Sequence, residues 1–284
     1  MKRYIFISVS KSNVVWLVSS AFLIFIILFT NIYFFMDLRQ SLTRPAYETS
    51  RTFTASSGFN ARLAIIIDDF GQNRAGVNEM MSIKRHITLA VMPFLAFSKS
   101  DAQKAHDNGF EVIIHLPLEA SGGKLSWVGP RPILSASSDS EVTQIVNDSF
   151  DEVPYAVGAN IHMGSKAGDD ERIISDILDV IKSKNMYFVD SRASRHPIAK
   201  KIADTKGVVC YDRDVFIDGK KPKEYIVDQL KKAEDIALKK GYAIAIGHVG
   251  VEGGKVTAQA INEMLPEFDR QKIKLVFISE LGNK

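Results

Sequence analysis

From residue 63 onward, short apolar runs alternate with longer stretches whose apolar residues recur at helical spacing, and that alternation leaves few folds open. The runs lie at 63–67, 87–92, 111–115, 157–161, 187–189, 208–211, 242–246 and 274–278, each of strand length. Helical stretches fall between them at 74–81, 98–108, 139–150, 169–184, 197–206, 222–240 and 256–265. Gly109, Gly207 and Gly241 stop three of these. Within 169–184, Ile173, Ile174, Ile177, Leu178 and Ile181 share one face, as a helix packed on a sheet requires. Strands joined by helices pair in parallel through crossovers. The pattern therefore predicts an α/β domain of βαβ units. Eight strands predict a closed or nearly closed (β/α) barrel, with an open doubly wound sheet as the alternative.

The first sixty residues follow another rule. Residues 14–36 are 23 consecutive positions without Asp, Glu, Lys, Arg or His. As a helix they reach about 35 Å, enough for a hydrocarbon core of about 30 Å. A cleavable signal peptide has a shorter apolar core and small residues at its cut site. This run instead ends in Thr30-Asn31-Ile32-Tyr33-Phe34-Phe35-Met36, so a retained transmembrane anchor is expected. Lys2, Arg3 and Lys11 precede it, which keeps residues 1–13 in the cytoplasm. Residues 37–60 read as a Ser/Thr-rich tether, and 61–284 as a single domain across the inner membrane, periplasmic in a bacterium.

Charge follows the same division. Residues 1–60 hold six Lys/Arg against two Asp/Glu, whereas 61–284 hold 30 against 31. With no basic field on the folded part, no nucleic-acid partner is expected. The single cysteine, Cys210, excludes an intramolecular disulfide.

Barrels of this kind place their reactive groups on the loops after the strands, which converge on one mouth. Here the apolar runs end in Asp68-Asp69, His115, His162, Asp190-Ser191-Arg192, Asp212-Arg213-Asp214 and His248. Any one of these residues serves equally well as a cap or turn; six at equivalent positions point to a site. Asp68-Asp69 either caps the turn toward Gly71 or supplies one metal ligand and one general base, since adjacent carboxylates repel without a cation or shared proton. Two imidazoles and a carboxylate with an open position suit a hydrolytic zinc site, while iron, cobalt, manganese or nickel accept the same donors.

Five motifs in order, Ile66-Ile67-Asp68-Asp69-Phe70-Gly71, His115-Leu116-Pro117-Leu118-Glu119, Asn160-Ile161-His162-Met163-Gly164-Ser165, Phe188-Val189-Asp190-Ser191-Arg192 and Ile246-Gly247-His248, resemble the divergent polysaccharide deacetylase family. That family is related to carbohydrate esterase family four, and the resemblance spans residues 61–281. It implies a deacetylase-type barrel, a divalent metal, most readily zinc, and a carbohydrate substrate. It implies Asp68 as general base, Asp69 and His115 as metal ligands, and His248 as general acid. Where better-studied relatives carry a second histidine four residues after the first, this chain has Glu119, so Glu119 or His162 completes the metal set. Asp190 is assigned to orient His248 or hold Arg192, and Asn160, Ser191 and Arg192 to contact substrate. The expected function is metal-dependent deacetylation of a cell-envelope polysaccharide. The altered second motif keeps open a membrane-tethered glycan- or protein-binding module without turnover, and a hydrolase of other amides or esters is a third reading.

Overall fold

The computed structural model describes residues 58–282, apart from 73, 74, 195 and 252. The expected anchor at 14–36 and nearly all of the tether lie outside the described residues. Among those described, no helix is long and apolar enough to cross a membrane.

Strands and helices alternate as the sequence requires. The strands are β1 (Ala61–Phe70), β2 (Thr88–Val91), β3 (Glu111–Leu118), β4 (Ala156–Met163), β5 (Tyr187–Asp190), β6 (Cys210–Asp212), β7 (Val215–Phe216), β8 (Tyr242–His248) and β9 (Ile273–Val276). The helices are α1 (Val77–Met81), α2 (Ser98–Asp107), α3 (Asp139–Glu152), α4 (Glu171–Ser183), α5 (Ala199–Lys206), α6 (Lys223–Lys240) and α7 (Lys255–Arg270). The stops at Gly207 and Gly241 hold, both residues adopting left-handed φ at the ends of α5 and α6.

The strand order is β6-β5-β4-β3-β2-β1-β8-β7, and each of these pairs is parallel. Helices returning between parallel neighbours curl such a sheet into a barrel wall. The stretch 210–216 carries the ladder round: β6 bonds β5, and β7, two residues later, bonds β8. One edge of β1 is shared, with β9 beside Ala61–Ala64 and β2 beside Ile66–Phe70, while β8 runs along the other edge. The sequence predicted eight strands, and the described residues form nine. The extra one, β7, is two residues long and too short to show periodicity.

Period-two alternation sorts the strand residues into two layers. Leu63, Ile65 and Ile67 of β1, Val112, Ile114 and Leu116 of β3, and Ala159 and Ile161 of β4 pack outward with helix residues such as Ile173, Ile174, Ile177 and Leu178. Ala64 and Ile66 of β1, Ile113 of β3, Tyr187 and Val189 of β5, and Ile244 and Ile246 of β8 fill the interior. The inward parity continues to Asp68, His115, Asn160, His162 and His248. The pleat that packs the barrel therefore aims these five side chains into its C-terminal mouth.

Candidate metal centre

Asp69 breaks that parity, and the backbone shows how. Between Ile67 and Phe70, β1 advances three residues while its partner β2 advances two, from Leu89 to Val91. The extra residue is a β-bulge, with Asp69 at φ 71. Aspartate tolerates this left-handed conformation better than most residues. The bulge lets two consecutive carboxylates face the same mouth. Asp101 of α2 fixes the turn that follows, its Oδ2 accepting the Gly71 N–H at 2.9 Å.

Asp69, His115 and His162 then form a triangle. His162 Nδ1 lies 3.0 Å from His115 Nε2, and Asp69 Oδ1 lies 3.5 Å from His115 Nε2 and 3.2 Å from His162 Nδ1. Ligand bonds of about 2.0–2.2 Å at tetrahedral to octahedral angles set donor atoms roughly 2.9–3.5 Å apart, so the triangle fits one cation.

Hydrogen bonds on the far side of each ring fix the protons. Asn160 Nδ2 donates to Asp68 Oδ1 at 2.8 Å, which turns Asn160 Oδ1 toward His115 Nδ1 at 2.7 Å. An amide oxygen only accepts, so the His115 proton sits on Nδ1 and Nε2 presents a lone pair. The Trp127 carbonyl lies 3.2 Å from His162 Nε2, placing that ring's proton there and the Nδ1 lone pair toward the triangle. With both rings neutral, two lone pairs and a carboxylate oxygen meet with no proton among them. That donor set calls for a cation, and partners of this kind are what orient metal-binding imidazoles.

The electrostatics agree. Burial opposes ionisation of Asp69, but hydrogen bonds and charge from His115 and His162 hold it far below the usual carboxylate range. Burial likewise opposes charge on His115, yet Asp68 and Asp69 outweigh it and raise the ring's pKa. Without a metal, the triangle therefore draws in a proton instead. Asn160→Leu removes both the His115 acceptor and the Asp68 donor; metal affinity is expected to fall about 10–100-fold, as outer-shell losses typically cost. Competition with a chromogenic chelator measures it.

Across the mouth stands a second pair. Asp68 Oδ2 is 3.7 Å from His115 Nε2 and 4.0 Å from His248 Nε2, both too long for direct hydrogen bonds, so a reacting atom set off the line between Asp68 and His248 can bond both. Burial raises the Asp68 pKa, with His115 and His248 pulling against it. His248 Nδ1 donates to Asp218 Oδ1 at 2.9 Å, and the His248 backbone N–H donates to Asp218 Oδ2 at 2.6 Å. Thr257 Oγ1 donates to the same Oδ2 at 2.9 Å. Burial alone would keep His248 neutral, but the bond to Asp218 raises its pKa to about 9.

For two residues the geometry decides between the expected alternatives. Glu119 is turned away from the triangle: Lys166 Nζ lies 2.8 Å from its Oε1, and the Ser135 N–H donates to Oε2 at 2.9 Å. Lys166 holds its pKa below the ordinary value, and the carboxylate fastens the 119–138 segment. Asp190 does not orient His248. Its Oδ1 accepts the Arg192 N–H at 2.7 Å and closes the turn after β5. Within that turn, the Ser191 carbonyl accepts from Arg213 Nε at 2.7 Å, and Arg192 is exposed at φ 51. Asp218 was missed because the strand just before it, β7, is so short. The available signal was the apolar trio Val215-Phe216-Ile217 running into Asp218-Gly219, the same strand-then-acid pattern as β1 in miniature.

A parallel barrel with a two-histidine, one-carboxylate triangle beside a carboxylate and a charged imidazole defines a class of protein built around a candidate mononuclear metal centre. The chain belongs to the divergent polysaccharide deacetylase family, whose sequence model matches residues 65–282. It is 34% identical over 224 residues to the uncharacterised protein YibQ of Escherichia coli K12, covering 78% of this chain and 68% of YibQ. An uncharacterised Haemophilus influenzae protein is 32% identical over 197 residues, 69% of each chain. The crystal structure of an uncharacterised protein from Agrobacterium tumefaciens C58 shares the fold, with a TM-score of 0.75 at 21% identity over 84% of this chain and 95% of that one.

Proposed function

We propose that this protein is a metal-dependent deacetylase acting on N- or O-acetyl groups of a cell-envelope polysaccharide. One observation carries the reading. The triangle of Asp69 Oδ1, His115 Nε2 and His162 Nδ1 faces the same mouth as Asp68 and His248, whose facing atoms stand 4.0 Å apart. Family membership supports the acetylated carbohydrate as substrate. The apolar run at 14–36 supports a single-pass inner-membrane anchor with the barrel outside the cytoplasm.

Asp69, His115 and His162 would hold the divalent metal, zinc being the best match to the donors. When bound there, such an ion polarises an acyl carbonyl and acidifies water. The chain's own residues do the proton work. Asp68, with Oδ1 occupied by Asn160, keeps Oδ2 to take a proton from the attacking water. His248, protonated at neutral pH and fixed by Asp218, delivers a proton from Nε2 to the departing amine or alkoxide. Of the three expected substrate contacts, Asn160 is fully buried between His115 and Asp68 and the Ser191 hydroxyl is buried as well, so Arg192, exposed in the β5 turn, is the one left to meet the glycan.

Acetate release from acetylated oligosaccharides, abolished by a chelator and restored by added zinc or another divalent ion, tests the proposal. Release that continues undiminished in chelator would reject it. The Asp218 contact adds a pH signature. His248 must be protonated to act, so turnover is expected to fall as pH rises through about 9. Asp218→Asn removes the charge that raises that pKa. Its alkaline limb should move to lower pH by a unit or more, as a rough expectation for losing a hydrogen-bonded charge. A pH profile that keeps its alkaline limb in the variant would remove Asp218 from this role.

A further inference from the structure

The loop between β3 and α3 carries a side chain that the metal centre does not account for. Trp127 is 61% exposed, although an indole is among the costliest side chains to leave in water. The exposure does not come from a loose loop. Val128, next in the chain, is buried, and so is Ile133. The Ile133 N–H donates to the Pro117 carbonyl at 2.8 Å, and the Glu119 N–H donates to the Ile133 carbonyl at 2.9 Å, tying the segment to the end of β3. Glu119 adds its grip on Ser135 and Lys166. A single helical turn, Leu125–Trp127, then presents the indole.

Two contacts place the residue, one through its ring and one through its backbone. One edge of the indole lies against Gly123, at φ 89; a Cβ at that position would stand 2.9 Å from Trp127 Cε3. Only glycine combines this backbone with this clearance. The Trp127 carbonyl, meanwhile, is the group 3.2 Å from His162 Nε2. The residue whose carbonyl faces His162 Nε2 is therefore also the residue whose ring is left exposed.

We propose that Trp127 joins substrate recognition to the metal site: its indole stacks on the C–H face of a pyranose ring of the glycan, while its carbonyl keeps His162 Nδ1 turned toward the cation. This rests on the reading of the substrate as an acetylated glycan and names the residue that recognises the sugar ring. A flat apolar face with a polar edge matches a pyranoside, whose two faces carry C–H bonds and whose rim carries hydroxyls. The stack sets the distance from the ring to the metal, so the position of the acetyl group on the sugar is read against Trp127.

The chain has two tryptophans, Trp16 and Trp127. In a full-length Trp16→Phe protein, Trp127 is the only one, and its emission reports on its own surroundings. Titration with a fully N-acetylated glucosamine tetramer is expected to shift that emission saturably, in the presence or absence of metal. Trp127→Ala keeps the backbone carbonyl, so its metal content should match the parent. Its affinity for the tetramer should fall about ten-fold, the loss expected of one stacking face. Trp127→Phe should recover part of that affinity. In turnover, KM should rise in Trp127→Ala with kcat little changed. An emission that ignores saturating tetramer overturns the proposal, as does a Trp127→Ala affinity equal to the parent's. Loss of metal in Trp127→Ala also overturns it, because the side chain would then hold the site directly. A saturable emission change without acetate release rejects the deacetylase reading and supports the stack. Acetate release with an unchanged KM in Trp127→Ala does the reverse.

Discussion

Asp69→Ala and His115→Ala proteins are expected to purify without their divalent metal, with affinity reduced roughly a thousand-fold or more, since even outer-shell losses cost about 10–100-fold. Each substitution removes one vertex of a three-donor triangle, and two donors alone hold a divalent ion poorly against its own hydration. His162→Ala should lose metal as well. Its ring is partly exposed, but its Nδ1 is the donor nearest to His115 Nε2, at 3.0 Å. Glu119→Gln is the decisive contrast. That carboxylate faces Lys166 and Ser135, so the variant should keep full metal content while loosening the 119–138 segment. Metal analysis after dialysis, with melting curves to confirm folding, reads all four. Full occupancy in His162→Ala together with loss in Glu119→Gln would reverse the assignment of the third ligand.

The contrast between Glu119 and His162 shows what the sequence carries and what it leaves out. Alternation of strand and helix signals was legible from residue 63 because each strand must bury both faces and each helix one. The mouth was legible too: Asp68, His115, His162 and His248 all end apolar runs, and strand parity aims them together. Spacing along one strand pointed to Glu119, four residues after His115. Glu119, one residue past the end of β3, is instead held by Lys166 and Ser135, and His162 reaches the centre from the neighbouring strand, where it pairs with Pro117. Cross-strand register is a long-range property, invisible to local spacing. Asp69 was legible as a residue but not as a geometry, since its orientation depends on a bulge that shows only against β2. Asp218 was hidden for a third reason. A two-residue strand has no period, and the acid that follows it looks like an ordinary turn residue.

Asp68→Asn separates turnover from binding more cleanly than any ligand variant. The carboxylate is outside the triangle, so the metal should stay. The amide is nearly isosteric, and its oxygen still accepts from Asn160 Nδ2, so the barrel mouth keeps its shape. What disappears is a group able to take a proton at Oδ2, opposite His248. Acetate release should fall about 10²–10⁴-fold in kcat, the usual worth of a positioned general base, with oligosaccharide affinity and metal content unchanged. His248→Ala should behave differently. It removes a proton donor, so amide substrates, whose amine must be protonated to leave, should suffer far more than an aryl acetate with a stable leaving group. An Asp68→Asn protein as active as the parent would exclude Asp68 as the base. If the parent itself binds the oligosaccharide, holds its metal and releases no acetate, the barrel serves as a tethered glycan receptor, and Asp68 and His248 contribute to binding alone. The pair of variants therefore distinguishes a catalyst from a receptor with the same triangle, using the 4.0 Å gap between Asp68 and His248 as the feature under test.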